Sequence, residues 1–542
     1  MKSFNVRYVI ATLMITTLFS CDKQLDQVNP NSQTSSSFWK TQNDAIQGVN
    51  ACYQMLLEDG GYMRFSPILL NVEGDDVRSN SPWTAISNVG KFQLGTADPS
   101  GYGWSFDEFY QGILRCNQVL QNVPSINMDE GLKNRILGQA YFLRGLYFFH
   151  LVDEFGSVPL PTKANEILQQ SSVPQGWDQV KSDFKAAIPL LPAKYSAAGG
   201  VDANDLGRAT KGAAMAYLGK AYLFNKNFDS ADAQLKAVID LGTYSLMPSY
   251  EDNFTDANEN NAESIFELQF SLPGGATPDW SYNNNEVTWM SSFMWPWETS
   301  NFGYTYSNKL LYNSFEAGDT RKAATIVGPG DTLASPGIVA IGGIRAYPQV
   351  IAGFNGKTSL PASHFTGTDG KIINTCGKVS DPWLGDQPGQ LRSGYYGTKF
   401  WRDPNVSGNT PSPADGKTHI FGDQDVVMLR LGEILLSKAE AQFQSGDQAG
   451  ATATLQLVRN RAWGGVAPAD PYGPDFMQMM LQEYRHELSG EMSLWYDLRR
   501  TGLQIDYIKN NFGLTIPAGH DLLPIPASAI ATNPTLQQNP NY

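Results

Sequence analysis

Two stretches of this chain repeat one spacing of small and branched residues, and that repetition restricts the fold more than any other feature. Gly219, Ala231, Leu235 and Val238 keep the mutual offsets of Ala439, Ala451, Leu455 and Val458. Each set lies in a helix–short turn–helix pattern, with turns over 225–228 and 445–447. Small residues at the first two positions let antiparallel helices approach closely, and the next two fill the seam. That is the physical pattern of a tetratricopeptide (TPR) unit. The copies stand some two hundred residues apart, so a contiguous solenoid is excluded and an insertion must interrupt the scaffold. The expected fold is mainly α. TPR-like helical pairs over 38–241 and 426–542 support a long irregular, loop-rich insertion over 242–425 that carries short strands.

Helical periodicity also runs over 38–57, where Ala45, Val49, Cys52, Tyr53 and Leu56 share a face and Gly60-Gly61 ends the pattern. A second helix is expected over 104–123, before Pro124, and a third over 134–155. The third is apolar around most of its circumference, which predicts a central, buried helix. Within it, Arg144 and His150 read as a paired core cation and a satisfied imidazole. After the insertion, helices are expected over 426–444, 449–463, 472–488 and 491–501. The Glu/Arg pattern over 483–500 reads as ion pairs holding the last helices to the scaffold, and 522–542 as an extended, proline-punctuated tail.

The insertion carries strand-like pieces at 264–271 and 338–344, and its densest feature is the stretch 279–306. Four Trp, three Tyr and two Phe fall within that stretch, interrupted by Pro296, Gly303 and an Asn run. No helix or strand period fits it, so it reads either as core under a long loop or as a recognition surface held by the scaffold. Phe293, Trp295 and Trp297 beside a helix-like 307–315 are the anchoring side chains. Trp280, Tyr282 and Trp289 are the better ring contacts for a ligand. A second polar loop over 71–83 holds Asp75, Asp76, Arg78, Asn80 and Trp83.

The N-terminus reads as an export signal over 1–20: Lys2 and Arg7 precede an apolar run over 8–19 that is too short to span a bilayer comfortably. Leu18-Phe19-Ser20-Cys21 closes it, a hydrophobic then a small residue directly before Cys. Cys21 is the expected lipidation site, followed by a polar tether over 21–37, so the chain would be anchored in the membrane without spanning it. The other cysteines, Cys52, Cys116 and Cys376, are odd in number, so they form no disulfide framework. A net charge of −14 argues against nucleic acid or an anionic lipid surface as the main partner.

In this order, the motifs resemble the SusD/RagB family of outer-membrane nutrient-binding lipoproteins from Bacteroidetes. The matching pieces begin with Cys21, Ala140-Tyr-Phe-Leu-Arg144, Phe155-Gly-Ser-Val-Pro-Leu160 and Leu311…Phe315…Asp319-Thr-Arg321. Leu429-Arg-Leu-Gly-Glu433, Lys438-Ala-Glu440 and Val458-Arg-Asn-Arg461 follow. The last are Glu487…Glu491…Trp495…Asp497-Leu-Arg499 and Leu523-Pro-Ile-Pro526…Asn533-Pro534…Gln538-Asn-Pro540-Asn-Tyr542. Ser157 departs from the Asp usual there. The resemblance implies one SusD-like domain over 38–542 on the cell surface of the outer membrane. It also implies an oligosaccharide ligand held without chemistry, and a partner, a TonB-dependent SusC-like transporter. Some family members bind peptides instead.

Chemistry is sparse. His486-Glu487 lacks the second His of a zinc helix, and no nucleophile elbow or phosphate loop is present. Asp75-Asp76 and Glu263/Glu267 are the only carboxylate pairs of interest, with solvated or hydrogen-bonding roles the more natural ones. No cofactor is called for, and a loop-steadying Ca²⁺ has no signature that would place it. A sugar ring offers a C–H patch to aromatic faces and a rim of hydroxyls to polar side chains. Trp83, Trp280, Tyr282 and Trp289 are therefore expected to stack, and Asp76, Arg78, Asn80 and Asn284 to bond hydroxyls, where the two loops converge.

Overall fold

A computed structural model of the chain describes residues 38–74, 76–79, 83–96, 99–195, 205–271, 288, 290, 305–327, 365–366, 372–373, 395–400, 424–468 and 475–542. The N-terminal half is a run of helices: α1 (Gln42–Gln54), α2 (Phe65–Gly74), α3 (Thr84–Val89), α4 (Tyr102–Asn122), α5 (Glu130–Phe155), α6 (Val173–Ala187), α7 (Lys211–Phe224) and α8 (Phe228–Asp240). Strand β1 (Arg78–Ser79) falls between α2 and α3. The insertion supplies β2 (Ser264–Leu268), β3 (Thr305–Tyr306), α9 (Lys309–Ser314), α10 (Arg321–Thr325), β4 (Ile326–Val327), β5 (Phe365–Thr366), β6 (Ile372–Ile373) and β7 (Tyr396–Gly397). Strand β8 (Val426–Arg430) then leads into α11 (Leu431–Gln444), α12 (Gln448–Ala462), α13 (Phe476–Leu488), α14 (Leu494–Thr501), α15 (Gln504–Phe512) and α16 (Ala527–Thr532). All described strand pairs are antiparallel and two-stranded: β1 with β3, β2 with β8, β4 with β7 and β5 with β6.

The two copies of the repeat form the expected hairpins, α7–α8 and α11–α12, and their helices pack side by side. A Cβ on Gly219 would sit 2.5 Å from the Leu235 side chain, so the first position must be small for the hairpin to close. Thr210 caps α7 by accepting from the Ala213 N–H at 3.1 Å. Ala231 and Leu223 meet Ala441 across the two copies, and Lys438 pairs with Asp232 at 2.6 Å. Units distant in sequence are thus neighbours in space.

Helix α5 lies at the centre, between α4 and α6, and every residue over 142–155 is buried. Arg144 pairs with Asp183 through two hydrogen bonds of 2.9 and 2.6 Å and reaches Asn117 at 2.8 Å. His150 lies between the Tyr62 and Tyr496 hydroxyls at 2.9 and 3.0 Å. Both are core groups, as their sequence surroundings suggested. Cys52 and Cys116 are buried free thiols.

Three segments differ from the sequence reading; one is the tail over 522–542, read as extended, which carries the short helix α16 just after Pro526. Val426–Arg430 is a strand, not the first turn of a helix. The apolar run from 426 to 436 has no period that marks a boundary, and pairing with β2 sets it. The segment 71–74, read as loop, is the last turn of α2. The strand-like piece at 338–344, Phe293, Trp295, Trp297, Cys376 and the whole of 1–37 with Cys21 lie outside the described residues.

A buried ion network ties the insertion to the C-terminal helices. Arg430 meets Glu263 at 2.8 Å, Glu487 at 2.5 Å and Glu491 at 2.7 Å. Arg461 meets Glu263 at 2.9 Å and also pairs with Glu487. Arg321 joins Glu483 at 2.9 Å and Glu487 at 3.1 Å, and Arg459 bridges Glu316 and Glu483. The only carboxylate pairs singled out in the sequence thus yield two structural acids, Glu263 here and Asp76 below. Removing one partner from such a network strands the others in low dielectric. Glu487→Gln should therefore lower the unfolding free energy by about 3–5 kcal/mol, seen as a lower urea midpoint with an unchanged slope.

Candidate functional site

The turn between α1 and α2 builds an aromatic corner. Gly60 packs so closely on the backbone of Trp104 that a Cβ there would lie 2.4 Å from its carbonyl carbon. The Ser105 hydroxyl locks this contact by donating to the Gly60 carbonyl at 2.6 Å. Phe65, buried at the start of α2, then meets Trp83 and Trp104 edge-on, with centroids at 5.1 and 4.9 Å. The two indoles stand 6.2 Å apart at 69° and remain half-buried.

Beside them, Arg64 holds Asp59 through two hydrogen bonds and lies 4.7 Å over Phe65 and 5.3 Å over Trp83. Burial raises the Asp59 carboxyl, and the Arg64 guanidinium opposes that shift. One turn after Trp104 on α4, burial pushes the Glu108 carboxyl up to about 8 against the pull of the Gly60 and Gly61 N–H groups. Its Oε2 has no partner among the described residues.

The aromatic stretch is fastened at two points, one beside this corner and one at the strand that precedes Trp83. The Thr288 hydroxyl donates to the Met63 carbonyl at 3.4 Å, and Met290 is fully buried in the main core. Further on, Thr305 and Tyr306 pair with Ser79 and Arg78, and the Asn308 amide donates to the Asp76 carbonyl at 2.7 Å. Residues flanking 291–304 therefore meet the chain between Met63 and Ser79, which leads into Trp83.

Comparison with known proteins decides the family. Residues 225–542 match the model described as SusD family. The chain belongs to the SusD family. Residues 23–223 match a second model of the group, described as starch-binding associating with outer membrane. SusD-like protein P2 of Formosa agariphila is 24% identical, with 100% of each chain covered. Among solved structures, a laminarin binding SusD-like protein is 25% identical with a TM-score of 0.71, covering 93% of this chain and 100% of that one. Surface glycan-binding protein A from Bacteroides thetaiotaomicron, in complex with laminarihexaose, is 21% identical with a TM-score of 0.70 over 93% of this chain and 100% of that one. The mainly α, TPR-like architecture read from the repeat is the architecture of this SusD-family chain.

Against this SusD-family frame, two expected ligand contacts need correction. Asp76 is fully buried, and Arg485 binds both its oxygens at 2.8 and 2.9 Å while Tyr507 donates to one at 2.9 Å. Arg78 is buried too, donating to the Val72 and Val77 carbonyls at 2.7 and 2.9 Å and stacking 4.2 Å over Phe512. Their sequence surroundings look solvated because α13 and α15, which cover them, lie some four hundred residues away. Trp83 stays half-buried at the corner. Asn80, Trp280, Tyr282, Asn284 and Trp289 lie outside the described residues. The sequence reading missed Asp59, Arg64 and Trp104. The available signal was Arg64 between Met63 and Phe65, directly after the Gly60-Gly61 turn. Among the described residues, no group of three or more His, Cys, Asp or Glu side chains is arranged to hold a metal ion.

Glu108 makes a pH prediction. Its folded value of about 8 lies above the ordinary 4.5, so folding favours its proton and stability falls as pH rises from about 4.5 to about 8. Glu108→Gln should match the wild type in melting temperature near pH 4 and exceed it at pH 8.

Proposed function

We propose that this SusD-family chain is a cell-surface lipoprotein that captures oligosaccharides without transforming them and passes them to a TonB-dependent outer-membrane transporter. The half-buried Trp83–Trp104 corner, with the aromatic stretch fastened beside it, is the observation that carries this reading. Indole faces take the C–H side of a pyranose, and a rim of amide, guanidinium and carboxyl groups exchanges hydrogen bonds with its hydroxyls. Trp280, Tyr282 and Trp289 extend the stacking surface, and Asn80 and Asn284 supply amides. Arg64 and Asp59, buried in their own ion pair, brace the corner from within. The relatives named for laminarin and laminarihexaose support a glycan over other nutrients.

The anchor is Cys21, acylated after removal of 1–20, and its length of tether over 21–37 lets the domain sit on the outer leaflet. No helix among the described residues is long and apolar enough to cross a membrane, and a lipid anchor needs none.

Loss of one stacking ring removes about 0.5–1.5 kcal/mol, and 1.4 kcal/mol is tenfold in affinity. Trp83→Ala and Trp104→Ala should each weaken oligosaccharide binding by up to about tenfold in calorimetric titration, with folding unchanged by circular dichroism. A protein digest titrated in parallel should give no heat; binding of peptides but not of glycans would overturn the ligand assignment.

The transporter has its own test. Full-length protein drawn from its native membrane in mild detergent should co-purify with a large β-barrel, and Cys21→Ala should leave the membrane fraction. Recovery of the lipidated protein alone would count against the partnership.

A further inference from the structure

A cavity of about 220 Å³ shares no lining residue with the aromatic corner. It lies between the end of the α6–α7 connection, the segment after α8 and the start of β2. Two phenols wall it, and each is moored at its hydroxyl. Tyr195 donates to the Ala209 carbonyl at 3.1 Å, and Tyr244 shares a hydrogen bond with the Thr210 hydroxyl at 3.0 Å. Phe266 and Ile265 are buried at its base.

The polar lining is uncommitted in a particular way. The Asn261 carbonyl accepts from the N–H groups of Glu263 and Ser264 at 2.8 and 3.2 Å. Its amide NH₂, the Thr243 and Ser264 hydroxyls and the Lys194 ammonium have no partner among the described residues. Charge at the wall is mixed: Arg208 pairs with Asp205 at 2.8 Å, the Glu267 carboxylate accepts from the Asn260 N–H at 3.2 and 3.1 Å, and Lys194 is exposed.

Apolar ring walls with free hydroxyl and amide donors, where Lys194 and Arg208 are offset formally by Glu267 and by the Asp205 that pairs with Arg208, suit a polyhydroxylated, uncharged ring. The volume is below the roughly 300–1,000 Å³ of drug-sized sites, room for one ring and not for a chain. We infer that this cavity is a second carbohydrate subsite, which takes one neutral pyranose unit of a glycan. The inference rests on the proposed glycan reading and extends it. Two subsites on one rigid chain turn the second contact with a long glycan into an intramolecular event, and so raise avidity without any new chemistry at the aromatic corner.

The test uses the full chain with laminaribiose, maltose, cellobiose and methyl glucuronide, read by saturation-transfer NMR and by calorimetric stoichiometry. Ala262 is exposed at the rim, and only its carbonyl is engaged, by the Ser245 N–H at 2.9 Å. Ala262→Trp therefore fills the cavity without touching the core, and Lys194→Met serves as a second, milder variant. Ala262→Trp should remove one of two binding events for a neutral disaccharide and weaken binding of a long glucan by about tenfold or more. The Trp83→Ala/Trp104→Ala double variant should keep the cavity event. Should that double variant lose all binding while Ala262→Trp loses none, the cavity assignment falls and the glycan reading stands. Should Ala262→Trp alone abolish binding, the cavity stands and the corner falls. Binding of neither kind overturns both, and preference for the glucuronide overturns the neutral-ring assignment.

Discussion

Glu487 is a carboxylate buried where burial alone would protonate it, and the structure depends on its staying ionised. Burial opposes the charge, but the Arg461, Arg430 and Arg321 guanidiniums outweigh it and hold the acid well below the usual carboxylate range. Those three cations come from α12, β8 and α10, so one oxygen pair gathers the second repeat, the strand that opens it and the insertion. Glu483, one turn earlier on α13, does the same for Arg321 and Arg459. The residue just before Glu487 on the helix, His486, is held neutral, since burial and the neighbouring Arg321, Arg485 and Arg459 all push its proton off. It stacks on Phe315 at 4.3 Å and adds apolar contact where another cation would be repelled. Such a network is a weak source of net stability, because desolvation offsets most of the attraction. What it supplies is register: four arginines from separate segments meet their shared acids together in this one arrangement.

Register is what an interrupted repeat needs. A TPR array ordinarily relies on the next hairpin in sequence to cover its open face, and here the next hairpin is two hundred residues on. The pairing of β2 with β8 and the Glu263 bridge to Arg430 and Arg461 close the two ends of the insertion on each other. Beyond that closure the insertion can be irregular without loosening the scaffold, and so it can carry recognition loops.

The parts of the fold that were legible in the sequence are those set by local physics. Small residues at Gly219 and Ala439, the apolar circumference of α5 and the hairpin turns act within their own helix or hairpin, while the Glu/Arg pattern of α13 and α14 announces ion pairs but not their distant partners. Asp76 and Arg78 failed for the opposite reason. Nothing near them in the chain announces that Arg485, Tyr507 and Phe512 will bury them. Trp104 was visible but ambiguous, since an indole at the start of an amphipathic helix looks like core until the Gly60 turn is seen beside it. Of the expected site, Trp83 lies half-buried, and residues at the ends of the aromatic stretch meet the chain before it through Thr288 and the short β1–β3 pair.

The corrected role of Asp76 strengthens the case for Trp83. Asp76 adopts a left-handed backbone, φ +59°, a conformation tolerated by Asp at some cost. It is held there from three sides, by Arg485 of α13, Tyr507 of α15 and the Asn308 amide that also caps α9. Arg485 is two residues from both Glu483 and Glu487, so the helix that fixes the buried network also fixes the base of the loop. A ring presented from such a clamp has little freedom left to lose when a ligand arrives, and immobilising a free side chain would cost about 0.5–1.5 kcal/mol, as much as one stacking contact returns. For any binding surface built from a few rings, rigidity below the loop therefore weighs as heavily as the number of rings above it.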